Sequence, residues 1–120
     1  MEFDRTWEIE FEKELAQAQA ARMVGNEGRA RVCARRAAGI VAGEYFTRLD
    51  LPSPGPSAID RLRSLVSLAG LPDDVYQIAG HFLLRITTDW ALPVRADLIA
   101  EARWLANKLL TENLANNTDP

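Results

Sequence analysis

Residues 26–49, NEGRARVCARRAAGIVAGEYFTRL, set the architecture of this chain. At about 3.6 residues per turn they form a helix of roughly six turns, with Ala30, Cys33, Ala34, Ala37, Ile40, Val41 and Tyr45 along one side. Small residues dominate that side and let neighbouring helices approach closely, which places this helix in the middle of a bundle. On the same wheel Ala42 falls on the opposite side, where a surface position is expected. The following segment, DLPSPGPS at residues 50–57, carries three prolines and a glycine that cannot continue a helix, and it is the one substantial loop.

The flanking sequence supplies the partners. Phe3, Trp7, Phe11, Leu15 and Ala18 recur at helical spacing, so a first helix is expected to run to about Met23. Gly25 suits a left-handed C-terminal position and Asn26 an N-cap, giving a tight turn that makes the first two helices antiparallel neighbours. Ser57 with Asp60 resembles a short capping box for a third helix with Ile59, Leu62, Leu65 and Val66 inward, ended by Gly70. Pro72, Asp73 and Asp74 open a fourth, in which Val75, Ile78, Ala79, Phe82, Leu83 and Ile86 face the core. The pattern breaks over residues 87–93. A fifth helix then begins near Asp97, with Leu98, Ala102, Leu105 and Leu109 inward. No alternating, strand-like run appears. The expectation is an all-α, five-helix up-and-down bundle over residues 1–111, with a flexible tail at 112–120.

Composition bounds the function. The chain has 120 residues, 48% hydrophobic and 26% charged, enough for one core without disulfides or metal. Net charge of -3 gives no whole-chain case for nucleic acid, although charge is uneven. Residues 1–25 are acidic, whereas residues 26–63 carry seven arginines against Glu27, Glu44, Asp50 and Asp60. The single Cys33 excludes an internal disulfide and fits a reducing compartment. No apolar run approaches the ~20 residues that span a bilayer, so a cytoplasmic protein is expected. There is no glycine-rich phosphate loop, zinc-ligand spacing, HExxH or serine elbow. No catalytic residue, metal ligand or cofactor is assigned.

Four groups of side chains are candidates for a site. Glu44 and Arg48 lie one turn apart at the end of the buried stripe, where they form either a structural ion pair or part of a ligand-binding groove. His81, the sole histidine, shares a four-residue stripe with Gln77 and Arg85; this is either a solvated polar face or part of a proton-transfer pair. Arg29 and Arg36 share one face of the second helix, and Arg31 and Arg35 another. Such guanidiniums fork onto phosphate or pair with the acidic first helix. Trp104 stands off the inward stripe of the last helix, as an interface residue or as cover for residues 87–93.

The order of elements is similar to that of the HEPN superfamily of small helical bundles. The resemblance is carried by RVCARRAAGIVAGEYF at residues 31–46, by SAIDRL at 57–62 after the proline loop, and by LRITTDWALP at 84–93 before the last helix. It covers roughly residues 10–110. It implies a bundle that commonly dimerises, with members that act as ribonucleases, toxins or partners of small nucleotidyltransferases. Catalytic members carry an Arg-x4-6-His motif; here Asp74, Val75 and Tyr76 hold the corresponding positions upstream of His81. The implied function is therefore a non-catalytic module acting as a homodimer or with a partner protein. The alternative is an atypical RNA- or nucleotide-binding protein, as a ribonuclease or toxin–antitoxin component.

Overall fold

The computed structural model describes residues 5–84 and 96–111. Five α-helices follow one another: α1 (Thr6–Met23), α2 (Glu27–Arg48), α3 (Ala58–Val66), α4 (Asp73–His81) and α5 (Leu98–Ala106), the last running into a π-helical turn at Asn107–Thr111. Among the described residues there is no strand, and no helix is long and apolar enough to cross a membrane. Phe3, Arg85, Ile86, the whole of the 87–93 break and the tail from Glu112 lie outside the described residues.

Local signals fix the helix ends. Gly25 has φ +80°, and Asn26 N–H reaches back to the Ala21 carbonyl at 2.8 Å, so the last turn of α1 closes as a Schellman cap. The Asn26 side chain then accepts the Arg29 N–H at 3.1 Å and starts α2. The far end of α2 repeats the arrangement with a different residue. Leu51 N–H bonds the Phe46 carbonyl at 3.0 Å, and Asp50 takes the left-handed position at φ 57° that glycine usually fills. Ser57 Oγ accepts the Asp60 N–H at 3.0 Å and begins α3 as expected. Asp97 caps α5 in the same way through the Ala100 N–H.

Helix α2 is central, and more completely so than its alanine stripe implied. α1, α3, α5 and the π-helical turn all pack on it, while α4 packs on α3 and α5. Besides Ala30, Cys33, Ala34, Ala37 and Val41, the residues Ala38, Gly39, Ala42 and Phe46 are buried. The expectation that Ala42 faces solvent is therefore wrong. Its side of α2 is covered because helices pack on more than one face of α2. The closest crossing is with α3, where a Cβ at Gly39 would lie 2.6 Å from the Ala58 Cβ. This contact also corrects Ile59, expected inward but 38% exposed. With Ala58 seated on Gly39, the next residue is turned about 100° away along the helix.

Helix α4 is shorter than its apolar pattern. It ends at His81, with Phe82 as a buried C-cap whose N–H bonds the Ala79 carbonyl at 3.2 Å. Arg35 Nε donates to the Phe82 carbonyl at 2.9 Å and satisfies an acceptor that another helical turn would have used. Of the stripe expected to link Gln77, His81 and Arg85, the helix carries Gln77 and His81.

Candidate functional site

The α2–α3 crossing divides the outer face of α2 into two recesses. Toward the C-terminal end of α2 lies one of about 580 Å³, lined by Trp7 and Glu10 of α1, by Ile40, Gly43, Glu44 and Thr47 of α2, and by Asp50, Leu51 and Arg61 beyond it. Toward the N-terminal end, on the other side of Gly39, lies one of about 350 Å³, lined by Val32, Arg35 and Arg36 with Pro56, Ser57, Ala58 and Ile59. The proline loop and the first turn of α3 contribute to both.

Glu44 and Arg48 meet beside the larger recess. Arg48 Nε is 3.0 Å from Glu44 Oε2, its Nη1 donates to the Leu110 carbonyl at 2.9 Å, and its guanidinium lies 5.8 Å from the Trp7 ring centre. One side chain thereby joins α1, α2 and the π-helical turn. Both partners are more than four-fifths buried, so the pair fixes geometry, and losing either partner would leave a poorly solvated charge. Glu44 lines the recess, and Arg48 holds that side chain through their ion pair. Opposite, Arg61 Nε donates to the Gly55 carbonyl at 2.9 Å, and its guanidinium lies over Gly43.

His81 is in neither recess and is not on a solvated face. Its Nδ1 is 2.8 Å from Glu101 Oε1, with both side chains 18% exposed, so the pair bridges α4 to α5. Neither residue's neighbours in sequence signal this contact, because Glu101 belongs to another helix. Arg85 lies outside the described residues. Trp104 is partly buried and packs against the core cluster.

Several charges of α1 are paired with residues other than the arginines of α2. Glu12 of α1 is held instead by Arg103 of α5 through two bonds of 2.9 Å, and this guanidinium keeps the Glu12 carboxyl below its ordinary range. Arg22 bonds Glu27 across the turn and Asp97 at the start of α5. Burial alone would raise the Asp97 pKa, but the bonds from Arg22 and the Ala100 N–H outweigh it and leave the pKa lowered. Among the described residues Arg29, Arg35 and Arg36 have no ion pair with α1.

No protein-family model, curated protein or solved structure matches the chain.

A third surface was not singled out in the sequence. On α1 the residues Ile9, Lys13, Ala16, Ala20 and Met23 are all exposed and follow one another at spacings of four, three, four and three. This is the spacing of a coiled-coil seam, and it lies opposite Phe11, Leu15 and Ala18, which face the core. Ile9 is 72% exposed, Met23 85% and the adjoining Val24 80%. The signal was present as a second apolar stripe, hidden by the stronger one that includes Trp7 and Phe11. Among the described residues no group of three His, Cys, Asp or Glu side chains is arranged to hold a metal ion.

Proposed function

We propose that the protein is a non-catalytic, HEPN-like helical module that acts by association with a second copy or with a partner protein. The observation that carries this reading is the outward seam of α1. A helix that buries one apolar stripe and presents another, with Ile9 and Met23 more than two-thirds exposed, has a surface that gains by being covered. Ala16 lies midway between Ile9 and Met23. Two copies of α1 packed antiparallel about Ala16 would set Ile9 of each against Met23 of the other, with small residues at the crossing and Lys13 facing alanines instead of a second Lys13. The position of His81, at a helix contact and away from both recesses, also favours association over catalysis.

Sedimentation equilibrium of the wild type and of the Ile9→Lys/Met23→Lys variant tests the reading. The expected result is a concentration-dependent dimer for the wild type and a monomer for the folded variant. If the wild type is a monomer throughout, and no protein is retained by it that the variant fails to retain, the reading is overturned. Ribonuclease action is checked separately by incubating RNA with the wild type and His81→Ala. Equal background cleavage by both is expected.

A further inference from the structure

The smaller recess beside α3 concentrates positive charge in a protein that is acidic overall. Arg35 is partly buried, and burial lowers its pKa without a carboxylate to offset the loss of water. Its guanidinium stays charged at neutral pH, and among the described residues only Nε is spent, on the Phe82 carbonyl. Arg36, the next residue, lines the same recess, is exposed, and has no ion pair among the described residues. Among the described residues no carboxylate lines the recess; Asp60, in the first turn of α3, leans instead toward Gly55. Ala58 and Ile59 contribute backbone N–H groups with no hydrogen-bond partner among the described residues, since the Ser57 side chain and carbonyl take the N–H groups of Asp60 and Arg61. The rim is apolar. Val32 and Ile59, 39% and 38% exposed, flank the arginines.

We propose that this recess binds a phosphate monoester carried on a small apolar body, with Arg35 and Arg36 on the phosphoryl oxygens and Val32 and Ile59 against the body. Two adjacent guanidiniums match a dianion better than a single carboxylate, and planar N–H forks suit phosphoryl oxygens. A volume of about 350 Å³ is at the small end of the range for ligand clefts, enough for a phosphate and one ring. The inference does not depend on the seam of α1, which is on a different helix.

The test is an NMR titration of the full chain with inorganic phosphate and with phenyl phosphate, at constant ionic strength set with sodium chloride. Amide signals of Ala58 and Ile59 and the Nε signal of Arg36 report the site. Saturable shifts are expected, with phenyl phosphate the tighter ligand. Arg36→Gln should weaken both by about tenfold, the loss of one charge-assisted contact. Arg29→Gln, which removes the same charge outside the recess, should leave both unchanged. Val32→Ser should remove the advantage of phenyl phosphate alone. A phosphoserine pentapeptide, compared with phenyl phosphate, distinguishes a protein-borne monoester from a free one by which binds tighter. Because Arg35→Gln also uncaps α4, the decision rests on Arg36→Gln. Shifts that sodium chloride reproduces, or equal affinity in wild type and Arg36→Gln, would overturn the proposal.

Discussion

Helices α1 and α2 use their apolar residues in opposite ways. In α2 the residues are small and buried on more than one face, so nearly every substitution along its middle meets another helix. In α1 they are divided between two faces, one turned to the core through Phe11 and Leu15 and one exposed from Ile9 to Met23. The first pattern sets distances between helices. The second leaves a surface whose cost is exposure, and it can be altered without disturbing the core.

Substitutions in the two helices should separate these roles. The largest effect is expected at Gly39. Alanine there gains roughly 1 kcal/mol of helix propensity, but its Cβ would lie 2.7 Å from the Ala58 backbone, so α3 must move. We expect Gly39→Ala to lower stability by about 3 kcal/mol net, because the clash is with backbone and takes overpacking beyond its usual cost, as read by urea melts. Next come Ala37→Leu and Ala42→Leu, each expected to cost ~1–3 kcal/mol because both sites are fully buried. If Ala42→Leu melts like wild type, the crowding of α2 on its second face is disproved. A smaller effect is expected at the α1–α5 contact. The Arg103 bond lowers the Glu12 pKa in the folded state, so its stabilisation is present above the unfolded pKa of about 4 and is lost as pH falls through the folded value. Melts of wild type and Glu12→Gln should therefore differ at pH 7 and converge near pH 2. The smallest change in stability belongs to Ile9→Lys, within about 0.5 kcal/mol in the monomer. A loss much beyond that would mean the outer face of α1 already packs against its own chain.

The same contrast explains what could be read in advance. Helix ends were legible because their signals are local: Gly25 and Asn26 at one turn, Ser57 and Asp60 at another, Asp97 at the last. The inward stripe of α2 was legible as far as a single face. Its second face was not, because burial of Ala42 depends on which other helices arrive there. Ile59 was misplaced for a similar reason, since the seating of Ala58 on Gly39 sets the rotation of α3. For the candidate residues, the wheel paired Glu44 with Arg48 correctly, being an i, i+4 relation within one helix. It could not pair His81 with Glu101, or Arg35 with the Phe82 carbonyl, which are separated by 20 and 47 residues. The two recesses were invisible for the same reason, as each is bounded by segments that meet only after folding.

The Gly39–Ala58 crossing also limits how this sequence can drift. With 2.6 Å between a would-be Cβ and its neighbour, position 39 has no substitute for glycine unless the facing helix retreats, and position 58 can hardly grow. Gly28 and Gly80 meet no such wall and are free to change. In any collection of descendants of this chain, positions 39 and 58 should keep their small size together, and a larger residue at one should appear only with a rebuilt loop at 50–57.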